Sequence, residues 1–223
     1  MSKSFYINLK DNREDGSICL QDKIDFIVKE TGSKKKVLDV GCNDGYIGEI
    51  LLKNNNDVYG IDVVKKKLLI AQKRGLKVKD CDIEREQFLY PNSYFDVVIL
   101  GDLIEHVFDT DELLKKCKKV LKKGGKLIVI TPNIASLGRR IMLLFGINPF
   151  IEYSLELPPN KGYPAVGHVR YYTSKTLRLQ LLHNGFKDIK IQGGALGSLF
   201  FKFFYGFSRF SSFFPHLMCV AIK

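Results

Sequence analysis

The sequence predicts an α/β fold, with a parallel sheet built from βαβ units and helices packed on both faces. Three observations predict it. Apolar runs of strand length (VLDV, VYGID, FDVVIL and KLIVIT) recur up to Thr131, with helix-period segments between them. The first run empties into a glycine-rich loop, DVGCNDG, directly ahead of a helical segment. Crossovers between parallel strands are right-handed, which puts the helices on both faces.

Residues 1–16 are polar and carry no periodic pattern. Apolar residues then recur at Ile18, Ile24, Ile27 and Val28, which predicts a leading helix from Ile18 to Glu30. Val37–Val40 reads as the first strand, Ile47–Lys53 as the helix after its loop, Val58–Asp62 as the second strand and Lys65–Arg74 as its helix. Leu76–Val78 is a short third strand, Phe95–Leu100 a fourth, and Asp111–Leu121 a helix. Lys126–Thr131 is the fifth strand, entered through Gly124-Gly125. After Pro132 the rhythm breaks into an apolar helix-like stretch, Ile134–Phe145, and a Pro/Gly-rich loop, PPNKGYPAVGH. Ser174–Asn184 reads as a helix, with Thr173 or Ser174 as cap and Gly185 as stop. Lys187–Gln192 and Leu217–Lys223 are the last two strands. One domain is expected over residues 1–223, with 1–30 as N-terminal segment and helix and 133–172 as an insertion on the acceptor side.

A chain of 223 residues, 45% hydrophobic and 26% charged, can bury a core without staples and is not a disordered composition. Its five cysteines are odd in number and lack C-x-x-C spacing. That argues against a disulfide framework or zinc finger and fits a reducing cytoplasm. The N-terminus has no apolar signal core, and no run of 18 apolar residues exists, so no spanning helix is expected. The net charge of +11, from 35 Lys+Arg against 24 Asp+Glu, would attract polyanions. The lysines fall in scattered clusters such as Lys34–Lys36, Lys65–Lys67 and Lys122–Lys123, so the surplus reads first as a solvated surface.

Asp39-Val40-Gly41-Cys42-Asn43-Asp44-Gly45 lies between a strand and a helix. Its glycines let the backbone turn sharply and come close to a ligand, and the helix behind it offers free N–H groups. The dinucleotide pattern G-x-G-x-x-G fails here, because Asn43 stands at the second glycine position and Tyr46 at the third. Asp39 and Asp44 would also repel a pyrophosphate. An acid ahead of the loop suits a ligand with an ammonium group and a sulfonium. Asp62 ends the second strand, where a carboxylate can accept both hydroxyls of a ribose. After the third strand, Asp82 can take an adenine amino hydrogen, with Ile83 over the ring. The order of these groups on consecutive strand ends carries the signal.

At these residues the sequence resembles the class I S-adenosylmethionine (SAM)-dependent methyltransferases, over roughly residues 20–223. VLDVGCNDGYIG resembles the family's first motif, VYGID the second, CDIE the third, FDVVILGDLIEHV the fourth and LKKGGKLIVITPN the fifth. LIEHV and HVRYYTSKTLRLQLLHNGF resemble the branch containing the ubiquinone-biosynthesis O-methyltransferases and polysaccharide-cluster methyltransferases. Asn43 departs from the family's usual glycine, but asparagine tolerates positive φ. The resemblance implies a Rossmann-like, doubly wound sheet of seven strands, the last antiparallel, with SAM across the strand ends. It assigns Asp39, Gly41, Asn43 and Gly45 to the methionine part of SAM, Asp62 to the ribose, and Asp82 and Ile83 to the adenine. The backbone around Leu100–Asp102 lies under the sulfonium, Leu100 and Gly101 count with the cofactor residues, and Cys42, Tyr46 and Val63 complete the set.

Asp102-Leu103-Ile104-Glu105-His106 follows the fourth strand, where the reacting methyl is expected. On a helical turn, positions 102, 105 and 106 share one side, and two carboxylates with an imidazole can bind a divalent cation such as Mg²⁺. The string resembles the acidic-x-x-Glu-His metal string of the ubiquinone-pathway and small-RNA 2′-O-methyltransferases. In the RNA enzymes a later histidine completes the site, and His168 is comparably placed. Three readings stand open. Asp102, Glu105, His106 and His168 hold a metal; or His106 or His168 acts as a metal-free base, with Glu105 in the catalytic set; or Asp102 caps a helix while Glu105 and His106 pack. His183 and His216 are assigned nothing.

Ile134–Phe150 is apolar with one basic pair, Arg139-Arg140, and Leu199–Pro215 holds eight phenylalanines and Tyr205, interrupted by Lys202 and Arg209. As core, these aromatics would cover the sheet and an acceptor pocket. As function, they would suit a lipid-linked acceptor or peripheral membrane contact. The expected activity is cytoplasmic, SAM-dependent methyl transfer to a hydroxyl oxygen of a small-molecule, glycan or quinone-type acceptor. One alternative is an RNA 2′-O-methyltransferase, favoured by the charge but without a recognisable RNA-binding appendage. The other is a non-catalytic SAM-binding partner, against which the presence of Asp39 and Asp62 counts.

Overall fold

Seven strands form one sheet in the order β3-β2-β1-β4-β5-β7-β6. The computed structural model describes residues 18–149, 167–194 and 213–223. The expectations for residues 1–16, for the loop before Gly167 and for most of the phenylalanine-rich run lie outside these residues. β1 (Lys36–Val40) and β4 (Phe95–Gly101) take central places, because their apolar residues bury on both faces. β2 (Asp57–Asp62) and β3 (Lys77–Asp80) extend the sheet on one side, and β5 (Leu121–Pro132) on the other, all parallel. β7 (His216–Ile222) runs antiparallel to both β5 and β6 (Lys187–Gly194). This is the strand number and the single reversal that the resemblance implied.

Strand alternation sorts the core into two layers. Leu38, Val98, Leu100, Leu127 and Val129 face one side, under Leu113, Leu114 and Cys117 of α4 (Thr110–Val120) and Leu177 and Leu181 of α6 (Ser174–His183). Val37, Val97, Ile99, Ile128 and Ile130 face the other. They meet Phe26 and Ile27 of α1 (Ile18–Thr31), Leu51 of α2 (Tyr46–Lys53) and Leu68 and Ala71 of α3 (Lys65–Lys73). Each fully buried Leu, Ile or Val contributes about 1.5–3 kcal/mol, so both layers hold the sheet.

Side-chain caps set several boundaries. α4 starts at Thr110 because the Asp109 carboxylate accepts the Glu112 N–H at 2.9 Å. α6 opens on a reciprocal Thr173–Thr176 box and stops before Gly185, at φ 74°. Two elements differ from expectation. β5 begins at Leu121, which pairs with Phe95, and a register shift carries the chain to Lys126 opposite Val97. The turn between them needs its glycines: Gly124 has φ 74°, and a Cβ on Gly125 would lie 2.9 Å from the Lys122 carbonyl. The helix expected from Ile134 is α5 (Leu137–Leu144), because the Asn133 side chain takes the Ala135 N–H at 3.0 Å and turns the chain first.

Adjacent β1 and β4 leave the sheet in opposite lateral directions, so their carboxyl ends open a crevice at the switch point. DVGCNDG and GDLIEH are the two segments that empty into it.

Candidate functional site

The cradle is built by the loop after β1. Gly41 and Cys42 both donate their N–H to the Ile61 carbonyl, at 2.8 and 3.1 Å, so the loop folds back on β2. Asn43 adopts φ 52°, the left-handed conformation its short polar side chain tolerates. Its N–H donates to Asp62 Oδ2 at 2.9 Å, while Val64 N–H donates to Oδ1 at 2.8 Å. Asp62 therefore holds the loop as well as facing it. Gly45, at φ 78°, starts α2, and a Cβ there would lie 2.8 Å from the Ala71 Cβ.

Asp39 is 4% exposed, and burial, then the nearby Asp62, pushes its carboxyl up to about 7. Burial also raises Asp62, against the pull of its N–H donors. A buried and a half-buried carboxylate on neighbouring strand ends are mutually unfavourable, and a cationic ligand would relieve them. That fits the ammonium and sulfonium of SAM. At the end of β3, Asp82 accepts the Glu84 N–H at 3.1 Å, and Ile83 packs half-buried on the core. Leu100 is buried at the end of β4, with Gly101 beside it, and Val63 lies half-buried in the turn after Asp62.

Some cofactor candidates are placed differently from the expectation. The Cys42 side chain lies in the core, its Sγ against Gly60, so the site receives only its backbone. Tyr46 is exposed, with the Arg74 guanidinium 5.6 Å from its ring. Leu103 was not singled out from sequence; it lies over the glycine loop, 2.9 Å from where a Cβ on Gly41 would stand.

The second half of the site follows β4. A 3₁₀ turn, Ile104–His106, places Glu105 at 2% exposure. The Thr131 hydroxyl donates to Glu105 Oε2 at 3.0 Å. Glu105 Oε1 is buried without a hydrogen-bond partner and lies 3.9 Å from His168 Nε2. The rings of His106 and His168 are 4.8 Å apart. The Gly167 carbonyl lies 3.2 Å from His106 Nδ1, so this nitrogen carries the proton. Val169 and Arg170 donate their N–H groups to the Glu105 carbonyl, which pins the later segment to the turn. Burial, then Asp102, pushes the Glu105 carboxyl up to about 8. Burial lowers His106, and burial, then His106, lowers His168 to about 4.

Glu105, His106 and His168 thus converge, with their ligand atoms within 4.8 Å of one another. Asp102 does not join them. It stands outside the 3₁₀ turn at φ 48°, and both its oxygens accept from Lys23 Nζ of α1, at 2.9 and 2.7 Å. The expected four-residue set is corrected to three, because the segment is not the continuous helix that the i, i+3 spacing requires. One carboxylate and two imidazoles fit a divalent cation, and they suit Zn²⁺ or Fe²⁺ better than Mg²⁺, which prefers oxygen donors.

His216 and Lys23 were also missed. His216 opens β7 opposite Pro132, and burial, then Lys23, lowers it to about 4. Nothing local in sequence marks either residue, since both reach the site through sheet order and helix docking. His183 lines a separate cavity of about 420 Å³ between α4 and α6, with Arg170 and Tyr171.

Residues 13–191 match the family described as Methyltransferase domain. The ubiquinone biosynthesis O-methyltransferase of Aliivibrio fischeri is 36% identical over 104 residues, 44% of this chain and 44% of that one. That of Proteus mirabilis is 32% identical over 143 residues, 61% of this chain and 56% of that one. The chain spans about half the length of these curated relatives. A SAM-dependent methyltransferase from Archaeoglobus fulgidus superposes with a TM-score of 0.66 at 20% identity, over 93% of this chain and 95% of that one. One from Mesorhizobium loti gives 0.65 at 17%, over 94% and 99%. At these identities the structural likeness carries the fold.

Proposed function

Because the chain belongs to the methyltransferase domain family, we propose that it transfers a methyl group from SAM to an acceptor hydroxyl bound beside Glu105, His106 and His168. The observation that carries this reading is Glu105 Oε1, buried without a hydrogen-bond partner and 3.9 Å from His168 Nε2. SAM supplies a methyl group on a sulfonium that is reactive without further activation. The chain's work is to bind, orient and remove a proton. Asp39 balances the positive end of the cofactor. Asp62 offers the ribose the lone pairs its two N–H donors leave free. Asp82 and Ile83 hold the adenine, and the backbone at Leu100 and Gly101 borders the methyl.

On the acceptor side His168 takes the hydroxyl proton at Nδ1, the ring nitrogen that does not face Glu105. In its ionised state, which burial confines to pH values above about 8, Glu105 stabilises the imidazolium that forms. His106, fixed by Gly167, keeps the second ring in place. The acceptor class we favour is a phenolic, glycan or other small-molecule hydroxyl. The three convergent ligand atoms also favour a second chemistry: Glu105, His106 and His168 would hold a divalent cation, which would supply acidification of the acceptor hydroxyl.

The test is transfer of label from radiolabelled SAM to pools of phenols, glycans and RNA. Transfer to phenols or glycans, lost in Glu105→Gln and His168→Gln with SAM affinity retained, supports the reading. Transfer to RNA alone would replace the acceptor class, and no SAM binding in calorimetry would remove the reading. Excess EDTA separates the two chemistries: full activity leaves His168 as base, and loss restored by Zn²⁺ or Fe²⁺ assigns the cation.

A further inference from the structure

We infer that α5 is a docking surface for an anionic lipid bilayer, so that the acceptor is an amphiphile methylated at the membrane surface. This rests on the reading above, in which the acceptor lies beside His168. The helix buries none of its eight residues. Leu137, Ile141 and Leu144 follow at i, i+4 and i+7 and form one stripe, 39%, 47% and 79% exposed. Phe145 and Ile147 extend it beyond the helix end, both exposed. An eight-residue helix is not stable by itself, and contiguous apolar side chains left exposed along one mark an interaction surface.

The two arginines face different ways. Arg139 acts electrostatically on His168 and His216, so it stands on the side of the catalytic cluster. Arg140 is exposed on the flank of the apolar stripe, its guanidinium 5.7 Å from the Phe213 ring. One helix therefore joins the reacting end of the fold to an outward apolar face with a basic border. Residues 134–149 contain these two arginines and no Asp or Glu, in a chain of net charge +11. Apolar side chains beside cations and without acids are the composition of a helix lying in a membrane interface. A protein partner would have to supply both an apolar groove and matching acids; an anionic bilayer presents both at once. Among the described residues no helix is long and apolar enough to cross a membrane, so the contact is peripheral.

Cosedimentation of the full chain with phosphatidylglycerol vesicles and with phosphatidylcholine vesicles tests this. The expected result is binding to the anionic vesicles, weakened by salt and weaker on the neutral ones. Ile141→Glu/Leu144→Glu should abolish it, and Arg140→Glu should weaken it about tenfold, since each basic residue near the surface adds comparably to binding. SAM affinity by calorimetry should stay unchanged in both variants. Loss of vesicle binding is thus read separately from any failure of the methyl-transfer reading. No binding of the wild type to anionic vesicles would overturn the inference. So would a concentration-dependent dimer in sedimentation that Ile141→Glu/Leu144→Glu dissolves. A lower melting temperature of that variant without wild-type vesicle binding would also overturn it, because the stripe would then be covered by the chain itself.

Discussion

The Thr131 hydroxyl donates to Glu105 Oε2 at 3.0 Å and thereby leaves Oε1 as the oxygen that faces His168. Thr131 is fully buried near the end of β5, where β4 and β5 pair Gly101 with Ile130. Thr131→Val keeps the shape and removes the donor. Glu105 then has neither oxygen hydrogen-bonded, which costs about 1–3 kcal/mol. The carboxyl is free to turn, so kcat should fall roughly tenfold or more with SAM affinity unchanged. Thr131→Ser should restore most of it. Equal kcat in Thr131→Val and wild type would show that this bond aims nothing.

SAM binding should carry a proton signature from Asp39. Its carboxyl is pushed up to about 7 in the free protein by burial and by Asp62. The ammonium and sulfonium favour the carboxylate, so binding releases a proton below about pH 7. Affinity should rise with pH through this range and level off above it. Calorimetry at pH 6.5 in two buffers of different ionisation enthalpy reads the proton directly. Asp39→Asn should abolish the release and weaken binding about 10- to 100-fold, the scale of a lost charge-assisted hydrogen bond. The same group has a stability signature of opposite sense. Its folded pKa lies above the unfolded value of 3.8, so its contribution is full in acid and is lost as pH rises through about 7. Thermal melts of the ligand-free protein should show a shallower decline from pH 5 to 8 in Asp39→Asn.

Asp62→Ala should do more than remove a ribose ligand. Asp62 accepts the N–H groups of Asn43 and Val64, so the variant also strands two backbone donors at the loop. We expect SAM affinity to fall about 10- to 100-fold and stability to drop by about 1–3 kcal/mol. A melting temperature equal to wild type would show that the loop holds its shape without this carboxylate.

Much of the sheet was legible because its information is local. VLDV and FDVVIL are apolar at positions that face both layers, which places them centrally, and DVGCNDG announces a turn that only glycine and asparagine fit. Thr173, Thr176 and Gly185 mark the limits of α6 by side-chain chemistry alone. What was not legible depends on packing between distant segments. Lys23 reaches Asp102 only because α1 docks beside the end of β4. His216 comes within electrostatic reach of His168 only because β7 inserts beside β5. The start of α5 was misplaced because the Asn133 side chain competes for a backbone N–H that a helix would use.

Asp102 is the sharpest such case, and it yields a test of the corrected donor set. In sequence it belongs with Glu105 and His106; in the structure its carboxylate is bound by Lys23 and its backbone is left-handed. The pair is partly exposed on the Asp102 side, so its loss should cost at most about 1 kcal/mol. Asp102→Asn tolerates the same φ and keeps one oxygen for Lys23. Methyl transfer should therefore stay within about threefold of wild type, a change of well under 1 kcal/mol in the barrier. Glu105→Gln, by contrast, removes the group that stabilises the imidazolium, on the scale of about 10²- to 10⁴-fold for general acid–base catalysis. Measuring both variants under the same conditions ranks the two acids. If Asp102→Asn loses as much as Glu105→Gln, Asp102 acts on the acceptor after all, and the Lys23 contact opens when the acceptor binds.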